Sequence, residues 1–240
     1  MKAKTLLASS ILAASAVASS VAMAESNWSA NIGVTSNYMW RGVTQTTDQA
    51  AIQGGIDYEN PNGFYAGTWA SNVSWTDPVG YEIDLYAGYG FDWGKTNWDV
   101  GYIYYAYPLT ENDSTALTSS ADFGEVYLNF GWEWLGLGVA YTTNVGGKDP
   151  ATGTDFEDGN LYYYVSGEWE LASGIGLGAV IGSYSFKNAD PLDYEYAELY
   201  LTKSDFTFSI SQTNADDVAY ADNTIDDPRV WVSWSKAFDL

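Results

Sequence analysis

Beyond its first two dozen residues the sequence alternates with period two, and this constrains the fold more than any other feature. Along 28–41 the even positions read Trp28, Ala30, Ile32, Val34, Ser36, Tyr38 and Trp40. The odd positions read Ser29, Asn31, Gly33, Thr35, Asn37, Met39 and Arg41. Successive side chains of a strand point to opposite faces, so such a run has one greasy and one polar face. The same spacing predicts strands over 28–41, 49–59, 64–75, 81–91, 96–107, 122–133, 135–144, 160–170, 174–186, 194–203, 205–213 and 228–238. Most span about 10–13 residues, which suits a tilted strand crossing a bilayer and exceeds the ~5–6 of an ordinary soluble strand. Short turns at 60–63, 92–95, 134, 171–173 and 204 alternate with longer loops at 42–48, 76–80, 108–121, 145–159, 187–193 and 214–227. Short turns on one side and long loops on the other are the asymmetry of outer-membrane barrels with both termini periplasmic. The expected fold class is therefore all-β: a transmembrane antiparallel up-and-down β-barrel of about twelve strands.

Residues 1–24 read as an address rather than as structure. Lys2 and Lys4 precede the apolar run 6–21, and the segment closes on Ala22-Met23-Ala24, the small-residue pattern a signal peptidase accepts. Cleavage after Ala24 leaves 25–240 as one barrel domain and moves the formal charge from −22 to −24, since the leader holds two Lys and no acid. No later stretch approaches the ~18 apolar residues of a spanning helix.

Composition narrows the chemistry. The 240 residues include no Cys and no His, which excludes disulfides, thiol catalysis and zinc-ribbon ligation and removes the commonest general base. Nine basic against 31 acidic residues argue against nucleic acid, whose phosphates need clustered Lys and Arg. A Ser nucleophile would have no His to pair with, and carboxylates two apart on one strand, such as Glu82 and Asp84, read as a polar face rather than a glycosidase pair. No catalytic site, metal site or cofactor is expected.

Aromatic residues on the greasy face gather at strand ends. Trp28, Tyr58, Tyr65, Phe91, Trp98, Trp132, Trp169, Phe206 and Phe238 fall near the short turns, and Trp40, Trp75, Tyr81 and Tyr141 near the long loops. Two such belts are expected at the two membrane interfaces. Asp57, Glu59, Glu82, Asp84, Asp99, Glu125, Glu133, Glu168, Glu170 and Glu198 take the polar phase, so they are expected to line the lumen, with Arg41 and Arg229 as the lumenal bases. Lys203 and Lys236 take the greasy phase near the short-turn end, where long side chains can snorkel to headgroups.

Twelve strands spaced ~4.8 Å and tilted ~40° close to a backbone diameter of roughly 24 Å, narrowed by side chains to ~10 Å. Rings of carboxylates in such a lumen favour cations. The lumen is also rich in Tyr (86, 105, 107, 127, 162, 164, 184, 196 and 200), either as a stacking track for a solute or, the reading favoured here, as interior filling. Asp149, Asp155, Glu157 and Asp158 cluster in one loop and Asp216, Asp217, Asp222, Asp226 and Asp227 in another; neither has the spacing of a Ca²⁺ loop.

One block is more specific than periodicity. The run Ser36-Asn37-Tyr38-Met39-Trp40-Arg41-Gly42-Val43-Thr44-Gln45 is followed by Ala51-Ile52-Gln53-Gly54-Gly55-Ile56-Asp57-Tyr58, then by Gly63-Phe64-Tyr65-Ala66-Gly67-Thr68-Trp69-Ala70-Ser71-Asn72-Val73. These resemble the TorF-type porins of proteobacteria, a conserved family of poorly known function. Tyr81-Glu82-Ile83-Asp84-Leu85-Tyr86, Gly124-Glu125-Val126-Tyr127 and Ser235-Lys236-Ala237-Phe238 look similar too. The resemblance implies an exported outer-membrane barrel and supplies no catalytic residues. Many such barrels end on an aromatic residue, whereas here Asp239 and Leu240 follow Phe238.

The expected function is passive, weakly cation-preferring diffusion of small hydrophilic solutes across the outer membrane. The alternative is a closed structural or adhesive barrel acting through its external loops. Expected partners are outer-membrane lipid and lipopolysaccharide, the barrel-assembly machinery, and small solutes or cations.

Overall fold

In the computed structural model, residues 27–75, 80–108, 121–145, 158–187, 192–215 and 224–240 are described. The leader and the loop acids Asp149, Asp155, Glu157, Asp216, Asp217 and Asp222 lie outside them, as do most of the loops 108–121 and 145–159.

The alternating runs pair with their chain neighbours, as short turns oblige antiparallel strands to do. The strands are β1 (Trp28–Thr35), β2 (Met39–Trp40), β3 (Val43–Thr44), β4 (Ala51–Glu59), β5 (Phe64–Val73), β6 (Gly80–Trp93) and β7 (Thr96–Ala106). They continue with β8 (Phe123–Trp132), β9 (Leu135–Val145), β10 (Leu161–Leu171), β11 (Ile175–Ser185), β12 (Tyr194–Lys203), β13 (Phe206–Thr213) and β14 (Arg229–Asp239). Twelve of them, β1 and β4 to β14, form one closed antiparallel barrel. β1 closes the ring by pairing with β14, from Ser29↔Asp239 to Thr35↔Ser233, so no sheet edge is left open. β2 and β3 form a separate two-stranded ribbon.

The outer face carries the greasy set. Ile52, Leu85, Ile181, Leu199, Phe208 and Val230 are between 54% and 72% exposed, an apolar band that water would oppose and lipid accepts. The two lysines on this face reach short-turn atoms. Lys236 Nζ lies 3.0 Å from Asp205 Oδ2, and Lys203 donates to the carbonyl of Ser173. At the same end Trp134 stacks on Trp169 and Phe91 on Trp98.

Two expectations are corrected. First, the strand expected over 28–41 stops at Thr35, and the segment that follows turns into the lumen. Tyr38 and Trp40 are therefore buried inside the barrel, not set in the outer aromatic belt. Second, β5 has the opposite phase to the one its hydropathy indicates. Tyr65 and Trp69 point inward, and Phe64 takes the outer position at 44% exposure. Register is the cause: directly paired residues share a face, and Glu59↔Tyr65 and Asp57↔Gly67 tie the odd positions of β5 to the inward face of β4. Neither face of β5 is clearly greasy, so the pattern alone decides nothing there.

Candidate functional site

Residues 36–50 connect β1 to β4 at the long-loop end, and they enter the barrel. Asn37 organises the entry. Its amide donates to Asp48 (2.7 Å), and its carbonyl oxygen accepts from Thr44 (2.6 Å) and Thr46 (3.2 Å). Asp48 is in turn held by Arg229 Nε at 2.8 Å. Tyr38 donates to Glu82 on β6 at 3.0 Å. β2 and β3 then pair through Met39↔Thr44 and Trp40↔Val43. The turn between them is Arg41-Gly42, with φ of 49° and 83°. Positive φ at both central residues is the type I′ turn, one of the two whose twist matches the flanking strands. The tip rests on the wall: a Cβ on Gly42 would lie 2.5 Å from Tyr196 Cβ.

The hairpin spans the lumen. It is rooted between the adjacent strands β1 and β4, and its tip meets β8, β10, β11 and β12, the far side of the ring. There Arg41 makes a bidentate pair with Glu125 on β8, Nη1 to Oε1 at 2.9 Å and Nη2 to Oε2 at 2.6 Å. The β8–β9 register shifts between Gly124 and Glu125, leaving Thr143 of β9 as the extra residue beside this carboxylate. The guanidinium carbon lies 3.9 Å from the ring centroid of Tyr162, 4.3 Å from Trp40 and 5.1 Å from Tyr184, within cation–π range. Both charges are buried. Such a pair holds only while both partners are present, because either charge left alone in a dry interior costs several kcal/mol.

At this depth the lumen is closed. All twelve barrel strands contribute a buried inward residue, from Thr35 on β1, Gln53 on β4, Ser71 on β5, Asp84 on β6 and Tyr105 on β7 through Glu125 on β8, Thr142 on β9 and Tyr162 on β10 to Tyr184 on β11, Tyr196 on β12, Ser211 on β13 and Ser233 on β14. Trp40 packs edge-on against Tyr105, Phe123 and Tyr184.

The short-turn half differs. Asp57 accepts from Asn31 (3.2 Å) and from Tyr86. Asp99 accepts from Tyr65 (2.7 Å) and Asn129 (3.1 Å), and Glu168 accepts from Tyr200. These carboxylates are half-buried and reach water. The tyrosines lie flat on the wall because glycines face them across the ladder. Tyr86 pairs with Gly67, Tyr127 with Gly101, Tyr164 with Gly138 and Tyr200 with Gly178, and a Cβ at any of these glycines would fall 2.0–2.6 Å from the ring. The result is a polar vestibule lined by acids and phenols, ending at the hairpin.

The residues singled out from the sequence divide by depth. Glu82, Asp84 and Glu125 are buried around the hairpin; Asp57, Asp99, Glu168 and Glu198 are half-buried in the vestibule; Glu59 and Glu170 are exposed at its rim. Glu133 sits in the β8–β9 turn at φ 53°. Arg229 stands at the start of β14 against Asp48, whereas Arg41 is on the hairpin tip and on no barrel strand. Asn37, Trp40, Gly42 and Asp48 were missed as site residues. The available signal was the Arg-Gly dipeptide between strand formers, which supplies only one of the two residues a primed turn favours. Among the described residues no group of three or more acids could hold a metal ion.

A closed antiparallel barrel with an apolar outer band and a polar interior is the architecture of the porin class of membrane β-barrels. The chain belongs to the family of bacterial proteins of unknown function designated Gcw_chp, whose model matches residues 19–238. Among solved structures, the KdgM porin superposes with a TM-score of 0.53 at 9% identity, over 88% of this chain and 99% of that one. The KdgM porin in complex with disordered oligogalacturonate gives 0.52 at 9% identity, over 88% and 99%. The NanC porin gives 0.47 at 12% identity, over 89% and 99%. At 9% identity the likeness to the KdgM structures is one of fold. No curated protein matches the chain by sequence.

Proposed function

We propose that the protein is a porin-like channel of the bacterial outer membrane that passes small hydrophilic solutes with a preference for cations. In this reading it is a TorF-type porin, exported by a leader cleaved after Ala24, inserted by the barrel-assembly machinery, and bounded by phospholipid and lipopolysaccharide. The observation that carries it is the vestibule, where Asp57, Asp99, Glu168 and Glu198 face the lumen and no base described on the strands offsets them at that depth. A water-filled lumen of one charge sign concentrates the opposite ion and excludes its own. A polyanion such as the oligogalacturonate bound by the KdgM porin is therefore a poor solute for this barrel.

The closed layer around Arg41 specifically favours a second state. In it the hairpin blocks the lumen, so conduction requires residues 36–50 to withdraw. The refolded mature protein in a planar bilayer under a salt gradient tests both statements. We expect rare, brief openings with a reversal potential toward the cation. Replacing residues 37–48 by a short Gly-Ser link should make the openings long-lived without reversing the selectivity. An anion-directed potential in the shortened protein would sink the reading.

A further inference from the structure

We propose that Glu125, Tyr162 and Tyr184 form a binding subsite for the guanidinium group of a solute, and that Arg41 is its tethered occupant. The inference rests on the channel reading above and names a solute class for it. The wall of the subsite belongs to the barrel: Glu125 on β8, Tyr162 on β10 and Tyr184 on β11. The cation alone comes from elsewhere, carried across the lumen on a hairpin whose root lies against the opposite wall. The β8–β9 register shifts between Gly124 and Glu125, and Glu125 is the carboxylate that meets Nη1 and Nη2 at 2.9 and 2.6 Å.

The tethered side chain fills the subsite incompletely. Arg41 Nε and the Tyr105 hydroxyl are both buried with no hydrogen-bond partner, and Tyr105 stands beside the hairpin, its ring 5.9 Å from that of Trp40. An occupant free to reorient can use donors and acceptors that the hairpin's geometry leaves idle.

Chemistry fixes the ligand class. When the hairpin withdraws, Glu125 would be left as a carboxylate in a wall of aromatic rings, a costly state unless a cation replaces Arg41. A neutral sugar or an anion cannot do this. A planar guanidinium matches the carboxylate fork and lies over a ring, whereas an ammonium offers a point charge with no plane to stack. A guanidinium-bearing solute entering the lumen would thus compete with Arg41 for Glu125 and release the hairpin that blocks its path.

The test uses the refolded mature protein and methylguanidinium chloride, with methylammonium chloride and NaCl at matched ionic strength. Arg41 is buried and should resist trypsin in the wild type. Rising methylguanidinium should expose the Arg41–Gly42 bond to cleavage, and methylammonium should not. Arg41→Gln, its fold checked by heat-modifiable gel mobility, should bind methylguanidinium at least about a hundredfold more tightly than the wild type by calorimetry, because an internal competitor that withdraws only rarely scales the apparent affinity down to the fraction of time it leaves the site vacant. Adding Glu125→Gln to Arg41→Gln should abolish that binding. Equal affinity in Arg41→Gln and wild type, or equal binding of the two amines, overturns the proposal. If Arg41→Gln does not fold, the wild-type cleavage decides alone, and no methylguanidinium-dependent cut at Arg41 overturns it. Conductance separates the two readings. A folded Arg41→Gln barrel that conducts without methylguanidinium block removes the subsite and keeps the channel. One that binds methylguanidinium but never conducts keeps the subsite and removes the channel.

Discussion

At the scale of single residues, two devices set the interior: a buried ion pair and a set of Tyr–Gly contacts. Removing the Glu125 charge leaves Arg41 unpaired, a loss of about 3–5 kcal/mol when one partner of a buried pair is deleted. The hairpin pairs its backbone only with itself and reaches the wall through side chains, so it should leave before the barrel unfolds. Glu125→Gln should therefore become cleavable by trypsin at Arg41 while its heat-modifiable mobility is unchanged; resistance at Arg41 would show that the pair does not hold the hairpin. The Tyr–Gly contacts govern bore. A methyl group at Gly178 would meet the Tyr200 ring at 2.0 Å, so Gly178→Ala should tilt that ring into the vestibule and detach it from Glu168. In the shortened protein, whose hairpin is gone, this substitution should lower single-channel conductance. An unchanged conductance would mean the ring does not border the path.

At the scale of elements, the two faces of each strand meet different solvents, and a charge should report which is which. Leu199 on β12 and Ser209 on β13 lie on opposite faces, Leu199 55% exposed and Ser209 at 7%. Leu199→Arg places a cation in the lipid band at about 2–4 kcal/mol near mid-depth, and Ser209→Arg places one beside Glu198 inside. Urea-dependent folding into vesicles should show a large loss for the first and a smaller one for the second; the reverse order would invert the assignment. β5 teaches the limit of pattern reading. Its faces, Phe64-Ala66-Thr68-Ala70-Asn72 and Tyr65-Gly67-Trp69-Ser71-Val73, differ little in polarity. Only the register imposed by β4 selects one. The misread stretch after Thr35 has a related cause. Alternation continues through Arg41, but Asn37, Thr44, Thr46 and Asp48 hydrogen-bond one another and fold the chain inward.

For the whole molecule, charge is the controlling quantity. The sequence carries 31 acids and nine bases; Arg41 is paired with a buried acid and Arg229 with the half-exposed Asp48. The vestibule should keep a strong negative potential at neutral pH. Carboxylates ordinarily protonate near pH 4, so the reversal potential of the shortened protein should move toward zero selectivity between neutral pH and about pH 4. Selectivity that persists at pH 4 would assign it to the tyrosine dipoles instead.

The sequence by itself determined the barrel. Its strand count, its antiparallel order, the lipid-facing band and the inward phase of most acids follow from period-two alternation, loop asymmetry and the cost of charge in lipid, all of which are local. Only the tertiary structure decided how the interior is used. The meeting of Arg41 with Glu125 spans 84 positions of chain, and the phase of β5 depends on its neighbours' register. Whether tyrosines fill the lumen or lie against the wall depends on what the folded interior brings to their depth. Near the hairpin they pack into a closed layer, and over Gly67, Gly101, Gly138 and Gly178 they lie against the wall. Such contacts depend on ring closure, which brings distant residues together and leaves no periodic trace along the chain.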